Sequence, residues 1–158
     1  MVNRTVPLNY SKYDWSRLNH LQLGRYAEYF TKMEFTLMGF DVYTTEVDDR
    51  GIDFVIRKDE DVYYDVQVKS VSKSKYIFFP KKKFKLRKNL LAAVVIFENN
   101  QSPQFYLIPS TAWLNPNSLL RSREYKDKKS QREWGLNLSQ KTMSLLSQYE
   151  FGNMVSSL

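Results

Sequence analysis

Three polar residues in the middle of the chain could together hold a divalent cation against a phosphodiester: Asp53, Gln67 and Lys69. That hydrolysis needs a cation, a water held in line, and stabilisation of the charge that builds in the pentavalent transition state. Mg²⁺ takes oxygen ligands and keeps several waters, so one or two carboxylates suffice, and Mn²⁺ is a ready substitute. Asp53 would be the principal ligand. Gln67 offers an amide oxygen and Val68 a backbone carbonyl, while Lys69 would orient or deprotonate the water and balance charge. A further acid is available upstream in Glu28, with Glu34 as the second candidate.

These residues need a scaffold, and the stretch Gly51–Lys69 supplies one. Ile52, Phe54 and Ile56 alternate with Asp53 and Val55; Val62, Tyr64, Val66 and Val68 alternate with Tyr63, Asp65, Gln67 and Lys69. Both runs have the period of a strand, and RKDED between them is a polar turn. Side chains two apart share a face, so Gln67 and Lys69 project together, away from the valines. Pairing the runs as a hairpin brings Asp53 to Gln67 and Lys69 at one end of a sheet.

Upstream, from about His20, Leu23, Tyr26, Ala27, Phe30, Met33, Leu37 and Met38 follow one apolar helical stripe, with Glu28 beside it. Gly39 stands where the helix should stop. Phe40, Val42 and Thr44 alternate into a short strand. Beyond Lys69, Tyr76–Phe79 reads as a strand or edge ended by Pro80, KKKFKLRKN as a charged turn or loop, Leu90–Phe97 as the central strand and Gln104–Ile108 as another. Pro109-Ser110-Thr111 starts a helix. Residues 115–135 have the least structured composition. Ser139 reads as the cap of a last helix, about 139–150, with Leu138 stapling Met143. Residues 1–19 read as an irregular arm, and 1–158 as a single domain with its core at about 20–113. The order suggests an α+β or α/β sandwich rather than a doubly wound sheet.

Composition narrows the chemistry. At 158 residues, 42% hydrophobic and 15% aromatic, the chain can bury a core. With no cysteine and only His20, thiolate metal sites, thiol nucleophiles, multi-histidine zinc sites and a two-histidine phosphodiesterase within one chain are excluded. The absence of cysteine is compatible with a cytoplasmic setting. No apolar run is long enough to span a membrane, and the first residues lack a signal peptide's apolar core. The net charge of +7 suggests a polyanionic partner. The charge is segregated: 45–61 is acidic, whereas 73–88 carries Lys73, Lys75, Lys81, Lys82, Lys83, Lys85, Arg87 and Lys88 without an acid.

Ala27-Glu28 on a first helix, Gly39-Phe40 at its end, GID on one strand and QVK on the next together resemble the PD-(D/E)XK nuclease superfamily. The flavour is that of small group I intron homing endonucleases and resolvase-like members. The resemblance spans roughly Gly24 to Trp113, with YIFFP and FYLIPSTAW similar to later family strands. It implies a restriction-endonuclease-like, three-layer α/β core: a mixed central β-sheet flanked by helices. It also implies Mg²⁺-dependent cleavage of double-stranded DNA by a homo-oligomer, a dimer or tetramer. By position, the family's helix acid falls on Glu28, its metal aspartate on Asp53, its second acidic position on Gln67 and its lysine on Lys69. Two departures stand out. Ile52 replaces the proline that often precedes the aspartate, and Gln67 replaces an acid, which removes one negative charge from the metal site.

Plainer readings stand beside these. Asp53 alone is also a strand-edge acid, Glu28 also a partner for Arg25 or Lys32 on its own helix, His20 a helix-start residue, and the lysine run a solvated face. A catalytically inactive nucleic-acid-binding or regulatory module on the same fold fits the neutral Gln67. A Holliday-junction-resolving or defence nuclease is the other enzymatic alternative.

Overall fold

The computed structural model describes residues 11–47, 50–73, 75–126, 129 and 131–158. Asp48 and Asp49 of the acidic segment, and residues 1–10 of the N-terminal arm, lie outside the described residues.

Helix α1 (His20–Leu37) starts at a reciprocal cap that the sequence spells as Asn19-x-x-Gln22. Asn19 Oδ1 accepts from the Gln22 N–H, and Gln22 Oε1 accepts from the Asn19 N–H, both at 2.9 Å. Gly39, at φ +87°, ends the helix in the left-handed conformation expected of it. The buried face is narrower than the expected stripe. Leu23, Ala27, Thr31 and Phe35 are buried, whereas Met33, Leu37 and Met38 are exposed at 59%, 79% and 49%. Two residues cause the rotation. Thr31 can be buried because its hydroxyl donates to Glu28 O within the helix, at 3.0 Å. Phe35 is drawn inward by edge contacts with Phe40, Phe54, Phe105 and Phe151.

The main sheet contains β1 (Asp41–Thr44), β2 (Phe54–Asp59), β3 (Val62–Val71), β5 (Leu90–Ile96) and β6 (Gln104–Pro109), in the order β1-β2-β3-β5-β6. Every pairing is antiparallel except β3 with β5, which is parallel. The expected hairpin is β2–β3, and all seven residues of β5 are buried, as its uninterrupted apolar run suggests. On one face Leu91, Ala93 and Leu107 meet Phe35 of α1 and Phe151 and Val155 of α3 (Phe151–Val155). On the other, Ala92, Val94 and Ile108 meet a second sheet and Leu146 of α2 (Met143–Ser147). The result is a mixed α/β fold of three layers.

The second sheet runs β4-β8-β7, from β4 (Tyr76–Pro80), β8 (Glu133–Asn137) and β7 (Leu120–Arg123). It overturns the expectation that 115–135 lacks structure. Leu120, Trp134 and Leu136 face inward at alternate positions, and that suffices to hold two short, otherwise charged strands. The single helix expected over 139–150 is also corrected. The chain makes two short helices separated by extended backbone at Glu150 (φ −51°, ψ 135°), and the first is entered from Thr142, not Ser139. Thr142 is buried and its hydroxyl donates to Asn137 O at 2.7 Å, which fixes the turn that Ser139 was expected to cap. Pro109–Thr111 leads into a 3₁₀ turn, Ser110–Leu114, rather than an α-helix.

Gly135 sits at the centre of the second sheet, and the Tyr76 ring crosses directly over it. A Cβ there would lie 2.5 Å from Tyr76 Cζ and 2.7 Å from Cε2. The ring cannot easily yield: Arg123 stacks on it at 4.4 Å, and its hydroxyl donates to Glu133 at 3.4 Å. Burial, then the Glu133 charge, hold that hydroxyl above the usual phenol range, so it stays a donor. Gly135→Ala is therefore expected to destabilise the fold by about 1–3 kcal/mol in urea denaturation, the range of other overpacked sites. In a Tyr76→Ala background the same change should cost far less; an equal cost in both would remove this close approach as the cause.

Candidate active site

The site forms where β2 gives out. Beyond Phe54, Asp53 keeps one ladder bond, its N–H donating to Val66 O at 2.9 Å. Two residues further along β3 the ladder partner is a side chain: Val68 N–H donates to Asp53 Oδ2 at 2.6 Å. The N–H and C=O of one strand residue point to the same side. The Val68 carbonyl is thus aimed past the end of β2, on the side where the Asp53 carboxylate sits.

Gln67 and Lys69 lie on the face of β3 away from α1, as alternation requires, but that face is covered by the second sheet. Gln67 is 8% exposed, and its Oε1 is buried with no hydrogen-bond partner among the described residues. An orphaned buried acceptor costs about 1–3 kcal/mol and marks a place where a donor or a cation is wanted. The Lys69 ammonium lies 5.7 Å from the Phe79 ring centroid, over its face, and Lys69 is half-buried.

Glu28 is on the α1 side of the sheet. It lines an open cleft of about 570 Å³ together with Val68, Lys69 and Ser70, and its carboxylate is ion-paired to Arg25 Nη1 at 3.0 Å. The structure thus gathers Asp53, Gln67, Val68 and Lys69 on one pair of strands, with Glu28 adjoining across β3. Glu34 lies elsewhere, in a hollow with Phe105, Tyr106 and Glu150.

The oxygens present suit a hard divalent cation: a locked carboxylate, an unsatisfied amide oxygen and a strand carbonyl. Among the described residues, no cluster of three or more His, Cys, Asp or Glu side chains could bind a metal by itself. Any cation here would therefore depend on Asp53 with neutral oxygens and water.

The basic run divides in space. Lys82, Lys83, Lys85 and Arg87 line one cleft of about 750 Å³ with Arg50, Ile52 and Asp65. The acid in that lining, Asp65, is bound to Arg87 Nη2 at 2.5 Å. Arg50 was not singled out from the sequence, although it directly precedes the GID stretch. Lys81 points elsewhere: its ammonium sits 3.9 Å from the Trp134 ring centroid, donates to Ser122 Oγ at 2.8 Å and pairs with Glu124. Lys73 lines separate hollows with Glu98, and Lys75 and Lys88 are exposed.

The cleft joins the site through Gly51, buried at φ +72°. A Cβ at Gly51 would meet Lys83 Cβ at 3.3 Å and Gln67 Nε2 at 3.8 Å, so one glycine separates the lysine loop from the amide.

No family profile matches the chain, and no curated protein is similar to it at a significant level. One solved structure, that of a bacterial homing endonuclease, aligns with 89% of this chain and 99% of its own at 17% identity and a TM-score of 0.46. So distant a likeness leaves function to the side chains themselves.

Gly51→Ala would force an L-residue into the left-handed region, at about 1–2 kcal/mol, and press on Lys83. We expect a drop of that order in denaturant stability. Gly24→Ala, whose added Cβ would reach only Ser70 Oγ at 4.0 Å, should be neutral or better. Equal effects at both glycines would contradict the close approach.

Proposed function

We propose that this protein is a metal-dependent endonuclease of the PD-(D/E)XK kind, hydrolysing phosphodiesters in double-stranded DNA. A site-specific homing-type enzyme is the first subtype. The observation that carries the reading is the orphaned Gln67 Oε1 beside a carboxylate locked by the Val68 N–H. Burying such an acceptor is a cost to the fold that a bound cation would offset.

In this reading Asp53, Gln67 Oε1 and the Val68 carbonyl would hold Mg²⁺, or Mn²⁺ in its place, and Glu28 would be the further carboxylate. The cation supplies Lewis-acid polarisation of the phosphate and lowers the pKa of a water. Val68 N–H holds Asp53 Oδ2 in place. Lys69 orients or deprotonates the attacking water. Lys82, Lys83, Lys85, Arg87 and Arg50 hold the flanking phosphates, positioning the duplex without reading its sequence. Cutting both strands calls for two such sites, hence a homo-oligomer.

Incubation with supercoiled plasmid and branched DNA in Mg²⁺, Mn²⁺ or EDTA tests this directly. Nicking is expected only with metal, and Lys69→Ala should lower it by about a hundredfold or more. Nicking that persists in EDTA or survives the substitution would place any activity elsewhere. Metal affinity has a readout of its own: millimolar Mg²⁺ should raise the melting temperature of the wild type but not of Asp53→Asn.

The second reading is a non-catalytic nucleic-acid-binding module, favoured by the single charged ligand among three. It predicts intact DNA, no calorimetric Mg²⁺ binding and a salt-dependent gel shift. Under either reading, replacing Lys82, Lys83 and Lys85 with alanine should flatten the slope of log affinity against log salt. The slope should fall by about 0.9 for each phosphate that the variant no longer neutralises.

A further inference from the structure

We propose that the outer face of the second sheet is a binding platform for single-stranded nucleic acid, with Phe78 as its stacking residue and Arg121 and Arg123 as its phosphate contacts. The strand register lays the platform out. Phe78 of β4 and Arg121 of β7 stand on either side of Gly135, and Arg123 stands opposite Glu133. Phe79, Trp134 and Leu136 take the inner face, so Phe78 and both arginines are turned outward. Phe78 is 50% exposed in the middle of its strand, and Arg121 and Arg123 are exposed.

This face is built and held, not merely left over. Glu133, 6% exposed, accepts from the hydroxyls of Tyr76 and Tyr125. Tyr125 in turn sits beside Arg123, whose guanidinium carbon is over the Tyr76 ring, 4.4 Å from its centroid. The arginine is therefore oriented by a ring below it and a hydroxyl beside it, with a buried carboxylate securing both. Ordering it beforehand lowers the entropic cost of a phosphate contact. The missing side chain at Gly135 lets the Tyr76 ring lie close against the sheet, so the surface around Phe78 stays low.

The occupant follows from chemistry. Glu133 is buried, and Glu124, the nearby exposed acid, is already paired with Lys81 and Arg132. Glu133 offsets part of the Arg123 charge, and with Arg121 beside them the two arginines still outnumber that one carboxylate on the face, which favours a polyanion. Phe78 has no polar atom with which to read a base edge; its ring face is useful only to a base that is out of the duplex stack. Aromatic ring plus flanking arginines is the combination that takes a single strand, base on ring and backbone on guanidinium. This surface is separate from Asp53, Gln67 and Lys69, and the inference does not depend on their catalysing anything.

The test is fluorescence anisotropy in EDTA, with labelled oligo(dT) of about 12 nucleotides and a blunt duplex of equal length. Phe78→Leu keeps the residue apolar and removes the ring; it should weaken oligo(dT) binding by about tenfold, the effect of one unstacked base, and leave the duplex unchanged. Phe78→Tyr should restore it, and Arg121→Ala with Arg123→Ala should flatten the salt dependence. Each variant's melting temperature checks the fold. Oligo(dT) binding that is absent in the wild type, or equal in Phe78→Leu, overturns the platform. So does a change in oligomeric state with Phe78→Leu at unchanged oligo(dT) affinity, which would make the face a contact between copies of this chain. Failure of the nuclease reading would appear instead as intact plasmid in Mg²⁺, with oligo(dT) binding unaffected.

Discussion

Strand β3 is covered on both faces, and that double burial controls the chemistry available to it. From Val66 onward its even-numbered side chains meet α1 and its odd-numbered ones lie on the side of the second sheet, whereas Tyr63 is exposed and Asp65 lines a cleft; Gln67 is 8% exposed. Inside a low-dielectric layer an amide oxygen needs a donor or a cation, and a carboxylate there would need still more. The same burial makes the end of β2 decisive. Where that strand stops, the Val68 N–H would be left without its ladder partner, and the Asp53 carboxylate takes it. A strand terminus and a fixed carboxylate are thus one feature.

Loop 81–88 shows how a highly charged segment can be held as firmly as a strand. Phe84 is fully buried against Phe79 and Trp113, its carbonyl accepts from Trp134 Nε1 at 3.1 Å, and Ser110 clasps Arg87 through both backbone groups. One aromatic ring and one buried hydroxyl thereby fix the path along which Lys82, Lys83 and Lys85 are displayed. Cations presented on a fixed path can match the spacing of phosphates; the same lysines on a floppy tail would give up entropy at each contact.

The parts of this architecture that were legible in the sequence are those set by short-range rules. The period-two alternation around Gln67, the glycine ending α1 and the apolar run of β5 each have one dominant local cause, and all appear where expected. The Asn19–Gln22 cap was equally local, and could have been read. What could not be read depended on partners distant in sequence. Met33 and Leu37 looked like core until Thr31 satisfied its own hydroxyl and Phe35 found its aromatic neighbours across the sheet. Strands β7 and β8 were hidden because LRSR has one apolar residue among charges and EWGLN only two, split by a glycine, too few to signal a strand without β4 beside them. In the candidate site, Asp53, Gln67 and Lys69 were found through strand spacing, whereas Arg50 emerged only once the chain had folded Lys83 over Gly51.

Charge connects the buried site to the basic cleft. An acid at position 67 would sit in a dry layer beside Gly51, whose other neighbour is the Lys83 side chain. Buried there, a carboxylate would be costly to desolvate without a paired cation. The neutral amide avoids that cost. Gln67 and the lysine loop thus meet at Gly51, the amide bringing no charge into the dry layer and the adjoining cleft keeping its cations.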